Sequence, residues 1–335
     1  MLNVNQTSQI LAFLNAAKRF VCITHHNPDG DALGSMLGLA EILRKRFPEK
    51  EILCVCRDSA PPPFRFLKNS AEIRQEYQAS PQDLIFFLDA AEPKLTDMHE
   101  SHAKLFQPET MKAEGMWTVK IDHHPKVADF AMLNIVDAEA ASSCEIVVDI
   151  ADSLDFAISP DAATCLLTGI YTDTGSMMHS NTSTRVYRTS ARLLLAGADH
   201  RSIIKNIFRT SKVSTLKLWG RVLEKISLTE EGGAVSAITA GDFRATGADF
   251  SELTGAIDYV NSIPGMKFSL ILSERAGKVK GSLRTLSDTV DVDAMARKFA
   301  GGGHKKAAGF SLPGKLEQET RWKVVPPSSP SEENQ

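Results

Sequence analysis

No apolar run in the chain approaches the roughly 18 residues a membrane span requires, which excludes an integral membrane protein of the helical kind. The N-terminal MLNVNQTSQILAFLNAAKRF has no basic stretch before its apolar residues, so no secretory leader is expected. The cysteines Cys22, Cys54, Cys56, Cys144 and Cys165 form no C-x-x-C pair and no disulfide-framework spacing. Reduced thiols and a cytoplasmic location are the expectation. Net charge is −3, which argues against a broad electropositive surface for gripping long duplex nucleic acid. No internal repeat is visible.

What charge there is lies unevenly. Between Glu274 and Lys306 eight Lys/Arg stand against four Asp/Glu, a local patch better suited to a short anionic ligand than to a polymer. The length, 335 residues, predicts two domains. Short apolar runs each stop at a charged or imidazole residue: VCIT runs into His25, LIFFL into Asp89, and WTVKI into Asp122-His123-His124. Helical patterns at 33–46, at 142–151 behind a Ser142/Glu145 capping box, and from Ser159-Pro160 alternate with them. Strands alternating with helices predict an α/β domain with a mostly parallel sheet flanked by helices. Ligands of such sheets bind beyond the carboxyl ends of the strands, which is where these residues fall.

The densest stretch is THHNPDGDALGS, residues 24–35. Its Asn-Pro and Asp-Gly pairs read as turns. A calcium loop starting at Asp29 fails, because its twelfth position is Ala40 where a bidentate Glu is needed. A metal site completed from elsewhere fits better. His25, Asp29, Asp31, Asp89, His123 and Asp173 offer imidazole and carboxylate but no thiolate, a set suited to Mn²⁺, Mg²⁺ or Fe²⁺. They are too many for a single ion with open positions and match two ions sharing a carboxylate, about 3.5–4 Å apart. Two such ions that activate hydroxide and clamp phosphoryl oxygens make phosphoester hydrolysis the natural chemistry. Asp173, in TDTG, is expected just past the end of a helix; taken alone it would pass for an Asx-turn residue.

From 227 a smaller α/β domain is expected, with strands in GGAVSAITAGDF and MKFSLILSERAGKVKGSLRT, a hairpin turn near Ala276-Gly277, and a helix over 291–300. The run Gly301-Gly302-Gly303-His304 reads as a loop that offers backbone N–H groups and an imidazole to an anion, and Arg284 can fork onto a phosphate. The predicted divisions are 1–190, a helical connector over 191–226, 227–315, and a disordered Pro/Ser-rich tail over 316–335. His26, His99, His102, His179 and His200 read as structural or solvated, and Cys54 and Cys56 as one buried strand face.

With THHNPDGDALGS, LDAAE, IDHHP, GIYTDTG, GSLRT and GGGHKKAAGF in this order, residues 15 to about 312 resemble the DHH/DHHA1 phosphoesterase superfamily, in particular its bifunctional oligoribonuclease and 3′-phosphoadenosine-5′-phosphate (pAp) phosphatase branch. The resemblance implies a DHH domain and a DHHA1 domain with the active-site cleft between them. It makes His25, Asp29 and Asp89 the ligands of one ion and Asp31, Asp89, His123 and Asp173 those of the other, with Asp89 bridging. It places His124 beside the substrate oxygens and Asp122 behind an imidazole. Arg284 and the Gly301–His304 run would bind the substrate's far phosphate and nucleotide. The ions would be two divalent metals, Mn²⁺ first, with Mg²⁺, Co²⁺ or Fe²⁺ as alternatives. Partners would be short oligonucleotides, nucleotide bisphosphates or linear dinucleotides, and no membrane; a homodimer is left open. After Asp89 the chain has Ala-Ala-Glu-Pro where relatives carry a Cys or Ser and a second acid, so Glu92 stands as the candidate substitute. Rival readings are a cyclic-dinucleotide or pApA phosphodiesterase, a RecJ-like exonuclease, a family II pyrophosphatase and a non-enzymatic nucleotide-binding module.

Overall fold

The computed structural model describes residues 2–125, 128–208 and 211–319. The chain divides into two compact units, residues up to 210 and residues from 211.

The first unit is built on strands β1 (Arg19–Ile23), β2 (Glu51–Val55), β3 (Asp83–Leu88), β4 (Trp117–Asp122) and β5 (Leu133–Val136). They form a five-stranded sheet in the order β2-β1-β3-β4-β5, with every pairing parallel. Its helices are α1 (Val4–Ala16), α2 (Gly30–Arg46), α3 (Pro108–Ala113), α4 (Ser143–Ser153), α5 (Pro160–Asp173), α6 (Thr184–Leu195) and α7 (His200–Ile203). All of β3, Asp-Leu-Ile-Phe-Phe-Leu, is buried, because a parallel sheet is covered on both faces and its inner strands read as continuous apolar runs. Successive residues feed opposite cores: Phe20, Cys22, Phe86 and Leu88 one, and Val21, Ile23, Ile85 and Phe87 the other.

Helix α2 begins at Gly30, three residues earlier than the apolar pattern suggested, because Asp29 caps it. The Asp29 Oδ1 accepts from the N–H groups of Asp31 and Ala32, each at 3.0 Å. The capping box of α4 is half made. Ser142 Oγ accepts from Glu145 N at 3.4 Å, but the Glu145 carboxylate reaches back to Ala141 N at 2.7 Å. Asp173 is the last residue of α5 and not beyond it.

Helices α2 and α5 pack at very close range, since Gly30, Gly34 and Gly38 recur every four residues on one face. A Cβ on Gly34 would lie 2.5 Å from Cys165 O. One on Gly169 would lie 2.3 Å from Cys144 Sγ and 2.7 Å from Asp31 Oδ1. Gly169→Ala is therefore expected to destabilise the first unit by about 1–3 kcal/mol through overpacking. Thermal denaturation checks this; an unchanged Tm would show that the helices separate at no cost.

The second unit contains α8 (Val213–Glu224), β6 (Ser227–Leu228), β7 (Gly233–Ile238), α9 (Ala240–Thr246), α10 (Ala256–Asn261), β8 (Phe268–Arg275), β9 (Lys278–Arg284), α11 (Val292–Arg297), β10 (Gly302–His304) and β11 (Ala307–Pro313). Its six-stranded sheet has the order β10-β11-β9-β8-β7-β6, antiparallel except for the β7–β8 pair. The β8–β9 hairpin turns at Ala276 and Gly277, both with positive φ (48° and 76°), the combination a two-residue type I′ turn demands.

Two expectations change here. Residues 191–226 are not one connector. Leu193 and Ile203 lie in the first unit's core, while Leu218 and Val222 of α8 lie in the second's. The glycine run is not a loop, because Gly302–His304 pairs with Ala307–Gly309 as an edge strand. Of the tail, residues 315–319 form no regular element and are mostly exposed; the rest lies outside the described residues. Among the described residues no helix is long and apolar enough to cross a membrane.

Candidate active site

Three parallel strands end at one locus. His25 follows β1, Asp89 follows β3, and Asp122 closes β4 just before His123 and His124. The start of α2 adds Asp29 and Asp31, and the end of α5 adds Asp173. Asp89 adopts a left-handed φ of 54°, a conformation Asp tolerates better than most residues. All six residues read as ligands from sequence converge here.

His123 Nε2 lies 3.4 Å from Asp173 Oδ2, 3.5 Å from Asp89 Oδ1 and 3.9 Å from Asp31 Oδ2. His25 Nε2 lies 3.6 Å from Asp89 Oδ2 and 3.9 Å from Asp29 Oδ1. His25 Nδ1 donates to the His26 carbonyl at 2.8 Å, which leaves Nε2 to face the acids. Among the described residues three groups have donor atoms mutually within 4.8 Å: His25/Asp29/Asp89, Asp31/His123/Asp173 and Asp89/His123/His124. Asp89 thus belongs to two of them, one oxygen toward each imidazole. Oxygen and imidazole donors at this spacing fit divalent cations.

Backbone N–H groups pin the buried acids. At the first residues of α4, Ser143 N donates to Asp31 Oδ2 at 2.6 Å and Cys144 N to Asp31 Oδ1 at 3.0 Å. The Ser143 hydroxyl donates to Asp89 Oδ1 at 3.2 Å. Sequence reading saw the α4 cap but not its target, because nothing local says where a helix start will point.

The charges strain against one another. Burial, then the charge of Asp89, pushes the Asp31 carboxyl well above its ordinary range. Burial and the charges of Asp31, Asp29 and Asp89 raise Asp173 likewise. Burial alone would lower His25; the Asp89 hydrogen bond, the His26 carbonyl and the charges of Asp89 and Asp29 outweigh it and push the imidazole up to about 9. Burial keeps His123 low. His124 is raised, chiefly by its hydrogen bond to Asp122, where Nδ1 sits 2.9 Å from Oδ1. Burial would lift Asp122, yet the bond to His124 and the charges of His124 and Lys120 hold it below its usual value.

Glu92 does not join this cluster. It pairs with Lys94 at 2.6 Å and is absent from the groups that could hold an ion. Of the histidines read as structural or solvated, three find protein partners outside the cluster: His26 Nδ1 meets Leu95 O at 2.7 Å, His102 Nε2 meets Tyr77 O at 3.0 Å, and His200 Nε2 meets the Tyr171 hydroxyl at 2.8 Å.

Arg284 and Gly301–His304 lie in the second unit. Register puts His304 opposite Ala307 and Ala307 opposite Arg284, so the imidazole and the guanidinium share one face of that sheet. The glycines need correction. Gly301 N donates to Ala296 O at 3.0 Å and Gly303 N to Asp293 Oδ1 at 2.8 Å, so these N–H groups are already taken. Their missing Cβ atoms serve packing instead: on Gly301 one would lie 2.2 Å from Gly309 O.

A parallel sheet whose strand ends gather acids and imidazoles at this spacing supplies the donors that metal-assisted phosphoester hydrolysis uses. The chain belongs to the DHH family of phosphoesterases: the family's N-terminal domain model matches residues 19–170, and the DHHA1 domain model matches residues 232–322. It is 34% identical to the bifunctional oligoribonuclease and PAP phosphatase NrnA of Thermus thermophilus, over 87% of this chain and 83% of that protein. With the protein of the same name from Bacillus subtilis it shares 28%, over 86% and 87%. A solved structure, an exopolyphosphatase-related protein from Bacteroides fragilis, superposes with a TM-score of 0.82 at 25% identity, over 94% of both chains.

Proposed function

We propose that the chain hydrolyses short oligoribonucleotides to mononucleotides and removes the 3′-phosphate of pAp, using two divalent ions, Mn²⁺ foremost. The observation that carries this reading is Asp89, whose two oxygens face two separate donor groups. The names of the relatives support the substrate class. His25, Asp29 and Asp89 would hold one ion, and Asp31, Asp89, His123 and Asp173 the other. Bound there, the ions would supply Lewis acidity toward phosphoryl oxygens and acidify water.

The protein's own groups then have separate tasks. Ser143 and Cys144 fix Asp31 and Asp89 before substrate arrives. His124, held at Nδ1 by Asp122, keeps Nε2 for a substrate oxygen. Arg284 and His304 bind the nucleotide's remaining phosphate, and the glycines shape the strand that carries His304. A cytoplasmic location suits the five cysteines, all buried and unpaired.

Initial rates with Mn²⁺ on pAp, pApA, a 5-mer, a 24-mer and c-di-AMP test the reading. The short substrates and pAp should be fastest. A 24-mer degraded as fast as the 5-mer would make the chain a processive exonuclease, c-di-AMP fastest, or pApA turned over while pAp and the 5-mer are not, a dinucleotide phosphodiesterase, and no turnover with ions bound a binding module.

Ion affinity should also depend on pH. Without ions, His25, pushed up to about 9, and the raised carboxyl of Asp173 keep protons near neutrality, and an ion must displace them. Binding should tighten as pH rises toward 9, about tenfold per unit for each proton released. Calorimetric Mn²⁺ titration at pH 6.5 and about 8.5 checks this; equal affinities would mean those protons are not displaced.

A further inference from the structure

Lysine is a poor choice for an inner parallel strand, which is covered on both faces and favours Val and Ile. Yet Lys120, in the middle of β4, is 0% exposed, a state lysine reaches almost only when paired. Its Nζ donates to Ala91 O at 2.9 Å and to Ala128 O at 3.2 Å, and faces Asp122 Oδ2 at 3.1 Å. It also stands 5.2 Å from the centroid of the Phe130 ring.

Each contact bears on the active site. Ala91 is on the turn that carries Asp89. Ala128 is on the chain leaving His123 and His124. Asp122 spends its other oxygen, Oδ1, on the His124 backbone N at 3.3 Å and ring Nδ1 at 2.9 Å. A buried ion pair is weak as a stabiliser, and apolar residues of similar volume often do as well or better. Stability alone therefore does not account for a lysine here, whereas orientation does. Oδ2 makes no hydrogen bond but lies in the field of the Lys120 ammonium, which favours the carboxylate plane in which Oδ1 meets His124, and that plane sets the ring of His124.

We infer that Lys120 is a positioning residue: through Asp122 it fixes the direction in which His124 presents Nε2, and it ties the strand-end segment bearing Asp89 to the one bearing His123 and His124. The inference rests on the proposed role of His124 in phosphoester hydrolysis.

Turnover of bis-p-nitrophenyl phosphate by the unaltered chain tests that underlying reading by itself. For Lys120, one readout needs no activity. In the full chain labelled with ¹⁵N-histidine, Lys120→Met should move the ring signals of His124 and leave those of His102 and His200 in place. The kinetic readout is a double-mutant cycle. Lys120→Met should lower kcat on the small diester by roughly 10–100-fold, the range for residues that orient an active group, while KM stays within about twofold. In a His124→Ala background, Lys120→Met should cost nothing further. Unmoved His124 signals, or equal losses in the two backgrounds, would overturn the inference. If Lys120→Met does not fold, Lys120→Arg takes its place, keeping the charge beside Asp122 while changing the donor geometry. A kcat loss that vanishes without His124 supports positioning. An additive loss, or none, refutes it.

Discussion

Asp89→Ala is expected to abolish turnover on every phosphoester tested and to lower the number of Mn²⁺ ions bound per chain. The residue is 3% exposed, and its oxygens lie 3.6 Å from His25 Nε2 and 3.5 Å from His123 Nε2. On the proposed two-ion reading, removing it would take a ligand from both ions. Metal stabilisation of a phosphoryl transition state contributes several kcal/mol, and about 1.36 kcal/mol is a factor of ten in rate, so a loss of roughly a thousandfold or more follows. Asp89→Asn, which suits the left-handed backbone equally well, separates charge from conformation. Initial rates and metal analysis of the purified variants check both; two ions and substantial activity in the alanine variant would remove Asp89 from the site.

His123→Ala, Arg284→Ala and His304→Ala should separate chemistry from recognition. His123 lies among Asp31, Asp89 and Asp173, so its loss should abolish turnover of nucleotides and of bis-p-nitrophenyl phosphate alike. Arg284 and His304 lie on the other unit's sheet. A hydrogen bond to a charged group such as phosphate contributes about 1.5–3 kcal/mol, so either substitution should cost roughly ten- to a hundredfold in kcat/KM on pAp and dinucleotides. On the small diester, which has no nucleotide, the loss should nearly vanish. Equal losses on that substrate for His304→Ala and His123→Ala, with folding intact, would move His304 into the catalytic centre.

That His25, Asp89 and His123 would meet was legible in sequence because each stands where an apolar run stops, and the topology of parallel strands sends those stops to one edge; Asp29 and Asp31 follow from the turn behind His25. Asp173 needed the helix signals of Ser159 and Pro160. Three features were not legible. The glycine strand looks like a loop, because its pairing depends on Ala307–Gly309. Glu92 looks like a spare acid until Lys94 is seen to take it. Lys120 looks like the solvent-facing residue of an alternating strand, and only its contacts with Ala91, Ala128 and Asp122 show that it points inward. In each case the deciding partner is set by three-dimensional packing and not by the local pattern.

The contact of α2 with α5 also has a bearing on how the protein is made. Asp31 and Asp173 become neighbours only when Gly34 meets the Cys165–Gly169 segment. That closure spans roughly 130 residues, a long-range contact of the kind that forms late. As synthesis runs from the N-terminus, a nascent chain that has exposed His25, Asp29, Asp31 and Asp89 still lacks the partners from α4 and α5 that hold them in place. The candidate ion site is thus complete only once α5 has been made, and a chain that stops short of α5 would offer a divalent cation only part of the donor set.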